Sequence, residues 1–204
     1  MTEQADFWRG DFGNAYISRN ESEVLFASNL AFFSKIFESC AEKPESFLEL
    51  GANVGMNIRA LKMLFPHSKS TGIEVNSEAA AKLSKIADEV IHGSIEEVQI
   101  RKTYDFVFTK GVLIHLNPES LQATYEKIYK SSKKWILIAE YYNPTPIQIQ
   151  YRGHANKLFK RDFAGEIMEK FAEVKLHSYG FSYRNGIFPQ DDISWFLLKK
   201  SEMA

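Results

Sequence analysis

Short apolar runs recur along the chain and are separated by segments with apolar residues at every third or fourth position. Runs of the first kind, typical of buried strands, occupy 46–50, 69–75, 89–94, 104–111 and 134–142. Segments of the second kind predict helices at about 22–41, 54–66, 77–88, 118–131 and 162–171. Two further strands are predicted at 174–184 and 193–200. This alternation predicts an α/β, doubly wound domain with a seven-stranded, mostly parallel sheet and an antiparallel C-terminal strand.

Two segments do not fit the alternation. Residues 1–20 are rich in aromatic residues and glycine, and residues 143–161 contain two prolines and many polar side chains. We expect residues 1–44 to form an N-terminal lid and helical segment and residues 45–204 to form the core, within one domain that spans 1–204. Residues 143–161 are predicted to form a long polar loop, and Ser77 is predicted to cap its helix.

Composition excludes several classes of protein. The net charge is −1, with 25 basic and 26 acidic residues among 204, so we expect no nucleic-acid partner. A single cysteine excludes an internal disulfide and a thiolate metal cluster, and the scattered histidines predict no metal site. The N-terminus has no long apolar run and no stretch reaches membrane-spanning length, so we expect neither signal peptide nor membrane contact, and a cytoplasmic location. Nothing in the sequence indicates an oligomeric state.

A glycine-bearing turn with the sequence ELGANVG follows the first predicted strand and opens a helix. In that position backbone N–H groups and a helix N-terminus face a ligand. The dinucleotide fingerprint requires glycine where Asn53 and Met56 stand, and the Gly-Lys-Ser/Thr of a P-loop is absent. The spacing instead resembles the first motif of class I S-adenosylmethionine (SAM) methyltransferases. The turn residues predicted to contact the cofactor are Glu49, Gly51, Ala52, Asn53 and Gly55.

Three further signals follow in the order that such a cofactor site requires. Glu74 ends the second predicted strand, 23 residues after Gly51, where a carboxylate can accept hydrogen bonds from both ribose hydroxyls. Ser94 and Ile95 follow the third strand, beside the expected adenine. The floor of the site is predicted at the end of the fourth strand. The full cofactor set from these strands is Glu74, Val75, Ser94, Ile95, Lys110, Gly111 and Val112. The competing interpretation is that Gly51 and Gly55 only form a tight turn between strand and helix, and that Glu74 is a solvated carboxylate at a strand end.

The chain also resembles one narrower family over nearly its whole length. The segments FWRGDFGNAYISRN (7–20), GVLIHLNPE (111–119), YRGHANKLFKRDFAGEIM (151–168) and FPQDDISWFLLKK (188–200) are similar to the pseudaminic acid biosynthesis-associated methylases. This resemblance implies a Rossmann-like class I methyltransferase fold, SAM as cofactor and S-adenosylhomocysteine (SAH) as product. It also implies a link to nonulosonic-acid (sialic-acid-like) sugar pathways.

Methyl transfer to a hydroxyl needs a base near the attacking oxygen. His115, a few residues after the fourth strand, is the first candidate, and a histidine hydrogen-bonded to backbone is the competing interpretation. Glu140, at the end of the fifth strand, is the second candidate, and a salt-bridged strand-end residue is its competing interpretation.

Polar and aromatic residues outside the strands are predicted to surround the ligands. Tyr16 and Arg19 of the lead segment are expected to contact the methionine part of the cofactor. Tyr141 and Tyr142 alternate across a strand end, so at most one faces the site. Basic residues between 151 and 161 are expected to bind a carboxylate or phosphate. The predicted acceptor-binding residues are Asn20, Tyr142, Arg152, His154, Lys160 and Arg161.

The sequence therefore predicts an enzyme that transfers a methyl group from SAM to a small polar, anionic acceptor, such as a nonulosonic-acid-type sugar or a related metabolite. Three alternatives stay open: a methyltransferase acting on RNA or a protein side chain, a non-catalytic SAM-binding module, and a nicotinamide oxidoreductase of similar fold.

Overall fold

A central sheet of seven strands organises the computed structural model, which describes residues 2–17 and 20–201. The strand order is β3-β2-β1-β4-β5-β9-β8, with β6 and β7 in a separate pair. The strands are β1 (Ser46–Leu50), β2 (Lys69–Glu74), β3 (Glu89–His92), β4 (Tyr104–Lys110), β5 (Ser132–Glu140), β6 (Ile147–Tyr151), β7 (His154–Lys160), β8 (Val174–Ser182) and β9 (Ile193–Lys200).

The first five strands are parallel, and β9 lies antiparallel between β5 and β8. The predicted seven-stranded, mostly parallel sheet with one antiparallel C-terminal strand is therefore confirmed. Leu50 of β1 lies opposite both Ile73 of β2 and Thr109 of β4, so the carboxyl ends of these strands meet at one edge. In sheets of this type, ligands bind outside that edge.

Helices cover both faces of the sheet because successive strand residues point to opposite sides. Phe47 and Phe106 pack with Phe33 in one buried cluster, whereas Leu48 and Val107 belong to another. The first cluster includes residues of α3, α4 and α5, and the second includes residues of α6 and α7. The helices are α1 (Glu3–Arg9), α2 (Asp11–Ile17), α3 (Glu23–Phe37), α4 (Met56–Leu64), α5 (Ser77–Leu83), α6 (Leu121–Ser131) and α7 (Phe163–Lys170).

The start of α5 differs from the prediction by one residue. Asn76, not Ser77, is the N-cap, and its side-chain oxygen accepts hydrogen bonds from the backbone N–H groups of Glu78 and Ala79. Its side-chain nitrogen donates to Asn14 Oδ1 of α2 at 2.7 Å. Asn76 therefore caps α5 and also binds α2 of the N-terminal segment. The second contact is a tertiary one, so the local pattern of helix caps does not predict it.

The predicted polar loop at 143–161 is wrong, because β6 and β7 form an antiparallel hairpin there. Ile149 and Tyr151 have the period of two expected of a strand and pack against the sheet core, together with buried Leu158. The glutamines between them complete the apolar–polar alternation of a half-buried strand, so the signal was present but outweighed by the neighbouring prolines. The hairpin turns at Arg152 and Gly153, both with positive φ, 48° and 86°.

The lead segment forms the two short helices α1 and α2. Ile17 packs with Val54, Met56 and Ala79, which seats α2 on the glycine turn and on α5. Within the described residues, the helices are all too short or too polar to cross a bilayer.

Candidate active site

A cavity of about 490 Å³ lies at the carboxyl ends of the parallel strands. Most of the predicted cofactor residues line it, and two of the predicted acceptor residues do. Lining it are Tyr16, Asn20, Gly51, Ala52, Asn53, Glu74, Val75, Ser94, Ile95, Lys110, Gly111, Val112, His115 and Arg152. Seven predicted residues are not part of its lining: Glu49, Gly55, Glu140, Tyr142, His154, Lys160 and Arg161. Arg19 lies outside the described residues.

The glycine turn brings backbone close to this cavity. Gly51 and Gly55 have φ of 74° and 85°, and Asn53 between them has φ of 48°. All three are in the left-handed region, which glycine tolerates best and asparagine better than most residues. A Cβ on Gly51 would lie 2.7 Å from Val112 Cγ2, so β1 and the turn after β4 approach more closely than a side chain would allow.

Gly51→Ala and Gly111→Ala provide a matched pair for measuring that close approach. Each places a side chain at positive φ, 74° and 67°, at a cost of about 1 kcal/mol. Only Gly51→Ala adds a clash, because a Cβ on Gly111 meets nothing within 4 Å. We expect Gly51→Ala to lower the free energy of unfolding by about 3 kcal/mol and Gly111→Ala by about 1 kcal/mol, measured in urea. Equal losses would refute the clash.

Glu74 lies in the cavity wall at the end of β2 and is 8% exposed. Its Oε2 accepts a hydrogen bond from the Asn53 backbone N–H at 2.7 Å, and its Oε1 accepts one from Asn76 N–H at 2.8 Å. Burial raises the pKa of Glu74, while these backbone donors oppose the rise. Each oxygen keeps a further lone pair, so the carboxylate can still accept hydrogen bonds from a ligand.

Glu49 is buried beneath the turn. Asn57 Nδ2 donates to Glu49 Oε1 at 2.6 Å, whereas Glu49 Oε2 and Asn57 Oδ1 have no protein hydrogen-bond partner. Burial raises the pKa of Glu49 to about 8, against the lowering effect of Asn57 and Lys110. Burial also lowers the pKa of Lys110, and Glu49 opposes that change. Asn57 lines the cavity, although its unpaired Oδ1 is itself buried.

Glu140 fixes the turn that follows β4. Its carboxylate is 2% exposed and accepts hydrogen bonds from the backbone N–H groups of Val112 and Leu113, each at 3.0 Å. Burial raises its pKa to about 7, although the backbone donors oppose this. Its partners are thus backbone N–H groups rather than the salt bridge that the sequence suggested as the alternative to catalysis.

His115 ends a 3-10 helix, Leu113–His115, and lines the cavity with 7% exposure. Its Nδ1 lies 2.6 Å from the Lys157 carbonyl oxygen of β7. A carbonyl only accepts, so Nδ1 carries the proton and Nε2 of the neutral ring is an acceptor. Burial lowers the pKa of His115 to about 4. The ring contacts Trp8 and Tyr151, with centroids 4.8 Å away in each case.

This environment predicts a dependence of stability on pH. The pKa of His115 is about 4 in the folded protein and 6.5 in the unfolded chain, so the unfolded chain binds more protons between these two pH values. The free energy of unfolding therefore decreases as the pH is lowered from 6.5 to about 4. We expect the wild type to lose up to about 3 kcal/mol more than His115→Gln between pH 7 and pH 4. Urea titrations measure the loss, with exposed His67→Gln as control. An NMR titration of His115 near pH 6.5 would contradict the prediction.

The other predicted acceptor residues are engaged elsewhere. The ring of His154 contacts Phe7 and Phe12, at centroid distances of 5.0 and 5.7 Å. Arg161 forms an ion pair with Glu166. Lys160 Nζ lies 5.3 Å from the centre of the Tyr141 ring. Tyr142 lies against Phe196, so of the two adjacent tyrosines it is Tyr141 that lines the cavity.

The cavity is roofed by segments that are far apart in the sequence. Gln4 of α1 donates to the Asn156 carbonyl of β7 at 3.3 Å, and Lys157 Nζ forms an ion pair with Glu3 at 2.6 Å. Phe12 of α2 contacts Tyr151 of β6. The N-terminal helices and the hairpin therefore form one roof over the strand ends.

Sequence reasoning missed several lining residues. Gln190 and Asn29 are both buried, and Gln190 Nε2 donates to Asn29 Oδ1 at 3.1 Å across the cavity wall. Asp191, Tyr151 and Tyr141 also line the cavity. The polar run PQDD before β9 was the available signal, since a turn that precedes an antiparallel strand in this sheet lies at the same edge as the parallel strands' carboxyl ends.

Comparison with known proteins agrees with this geometry. Residues 48–135 match the family model described as "Methyltransferase domain". No curated protein sequence gives a significant match. Among solved structures, the plantazolicin methyltransferase BpumL in complex with SAH is 16% identical, with a TM-score of 0.67 over 98% of this chain and 94% of that one. Magnesium protoporphyrin IX methyltransferase (ChlM) from Synechocystis PCC 6803 with bound SAM is 11% identical, with a TM-score of 0.72 over 98% of this chain and 99% of that one. The glycopeptide N-methyltransferase MtfA is 13% identical, with a TM-score of 0.62 over 85% and 89%.

These likenesses establish the Rossmann-like methyltransferase fold. Residues 48–135 match a methyltransferase domain, which on this fold indicates a SAM-dependent methyltransferase, and the BpumL and ChlM structures hold SAH and SAM, respectively.

Proposed function

We propose that this enzyme methylates a small polar, anionic acceptor, such as a nonulosonic-acid-type sugar or a related metabolite. The observation that carries the proposal is the composition of one cavity. Glu74 and Lys110 line the end of the cavity assigned to the cofactor, whereas Arg152 and Asp191 line it elsewhere and offer a guanidinium for a carboxylate and an acceptor for hydroxyl groups. The resemblance of four segments to pseudaminic acid biosynthesis-associated methylases supports the sugar-acid part of this proposal.

The cofactor fits the residues present. The Glu74 oxygens would accept from the two ribose hydroxyls, and Ser94 and Ile95 would flank the adenine. A Cβ on Gly111 would extend into open space, which leaves room for a ligand against the backbone there.

When bound, SAM supplies a methyl group activated by its sulfonium. The chain's own residues would align the acceptor and exclude water, the two contributions expected of a protein in such a displacement. For a hydroxyl acceptor, the neutral His115 Nε2 would receive the proton. The low pKa of His115 makes it a weak base. An amine or a carboxylate acceptor, unlike a hydroxyl, would need no base and only positioning. Glu140 would act by holding the turn after β4.

The test uses SAM with a deuterated methyl group, purified protein and a cell extract split into small-molecule and polymer fractions. Mass spectrometry locates the label, and Glu74→Ala serves as the inactive comparison. Label on an acidic small sugar supports the proposal and identifies the acceptor atom. Label confined to the polymer fraction would replace it with a macromolecular acceptor. Cofactor binding without any label would indicate a SAM-binding module, and tight binding of NAD in place of SAM would revive an oxidoreductase.

A further inference from the structure

The order of strands indicates where in the cavity an acceptor can lie. Glu74 ends β2, and Ser94 and Ile95 follow β3, so the nucleoside part of the cofactor would occupy that end of the sheet. The glycine turn and Lys110, at β1 and β4, would hold the methionine part. Adjacent strands are about 4.8 Å apart. The remaining space beside β5 and β9 is therefore the part left for the acceptor.

Five polar groups from different elements line that space. They are Tyr16 of α2, which was predicted from the sequence to contact the cofactor, Tyr141 after β5, Tyr151 and Arg152 of the hairpin, and Asp191 before β9. Burial raises the pKa of Tyr16 to about 12, and the charges of Tyr151 and Asp191 add to the rise. The pKa of Tyr141 is raised by burial and then by Asp191, Tyr16 and Tyr151. These mutual electrostatic effects show that the three tyrosines and Asp191 lie close to one another.

Arg152 stands where the backbone alone would favour another residue. It occupies the first position of a two-residue hairpin turn with φ of 48°, followed by Gly153 with φ of 86°. Such turns prefer Asn-Gly or Gly-Gly, because a long side chain at positive φ is strained. Among the described residues Arg152 forms no salt bridge, and its guanidinium lies 5.6 Å from the centre of the Tyr151 ring. Strain held at a cavity wall is typical of functional sites.

We propose that Arg152 and Asp191 define an acceptor subsite for a carboxylated polyol, with Arg152 binding the carboxylate and Asp191 accepting hydrogen bonds from hydroxyl groups. The tyrosines donate hydrogen bonds and present aromatic faces to the C–H side of a sugar ring. This subsite rests on the proposed methyltransferase function and specifies its acceptor. A guanidinium suits a carboxylate because its paired N–H groups match the two oxygens.

The test compares N-acetylneuraminate with its methyl ester, which removes the carboxylate charge. Both are titrated into the SAH-saturated protein and followed by saturation-transfer NMR. We expect the acid to bind the wild type at least about 10-fold more tightly than the ester. Arg152→Asn is expected to bring the two within about twofold, and Arg152→Lys to retain part of the difference because its charge remains. Asp191→Asn is expected to weaken acid and ester alike, by about 5-fold.

Thermal stability provides a second measurement, because Arg152→Asn is expected to raise stability while it weakens binding of the acid. Because Asn tolerates positive φ, Arg152→Asn is expected to raise the melting temperature by roughly 2 °C while it removes the preference for the acid. Arg101→Asn, at an exposed position outside the cavity, should change neither quantity. Equal binding of acid and ester to the wild type, no binding of the acid, or a difference retained in Arg152→Asn would overturn the subsite while SAH binding persists. Loss of SAH binding by the wild type would instead overturn the proposed function and the subsite together.

Discussion

Glu74→Ala is expected to weaken SAM binding by about 100-fold, the largest loss of cofactor affinity expected of any single substitution. The carboxylate would accept from both ribose hydroxyls, and charged hydrogen bonds contribute about 1.5–3 kcal/mol each. Its removal also deprives the Asn53 and Asn76 N–H groups of their acceptor, so the glycine turn loses its support. Isothermal titration calorimetry with SAM and SAH measures the change.

Glu74→Gln separates ligand contact from support of the turn. The amide keeps one accepting oxygen but places a nitrogen where the other oxygen accepted, so an intermediate affinity is expected. Exposed Glu78→Ala, in the first turn of α5, is the matched control. If SAM affinity were unchanged in Glu74→Ala, Glu74 would not be a cofactor residue.

Glu140→Ala is expected to lower the free energy of unfolding by about 3 kcal/mol, as much as Gly51→Ala. The change leaves the buried N–H groups of Val112 and Leu113 without their acceptor and opens a cavity behind them. Because burial raises the pKa of Glu140 to about 7, the stability it contributes declines as the pH rises from about 4.5 through 7. The loss should therefore be larger at pH 5 than at pH 8.

Urea denaturation at both pH values, with exposed Glu169→Ala as control, checks this expectation. A residue that acted only as a base would lower kcat and leave stability unchanged. That result in Glu140→Ala would restore the catalytic assignment made from the sequence and refute the supporting role.

The parallel part of the fold follows from patterns that are local in the sequence. The run SFLEL, the glycine turn and the apolar spacing of α4 each identify their own element, because buried strands and helices differ in period. Glu74 could be placed for the same reason, since a strand end fixes where its last side chain lies. A local pattern thus locates the cofactor end of the cavity.

The acceptor end depends on contacts that no local pattern contains. His154 and Arg161 were reasonable anion-binding candidates, but an aromatic cluster from α1 and α2 and an ion pair with Glu166 occupy them. Asp191 reaches the cavity only because β9 inserts between β5 and β8. The run IQIQY at 147–151 does alternate apolar and polar residues, as a half-buried strand does, but the prolines at 144 and 146 and the polar residues around it favoured a loop.

The position of β9 also bears on how the chain folds during synthesis. A ribosome-bound chain that has completed β8 still lacks the strand that must separate β8 from β5, so the apolar edge residues Ile136 and Ile138 have no partner on that side. Unpaired strand edges of this kind promote aggregation of partly folded chains. The sheet can close only after residues 193–200 emerge from the exit tunnel, so chains halted before that point should be recovered mainly with chaperones or in the insoluble fraction.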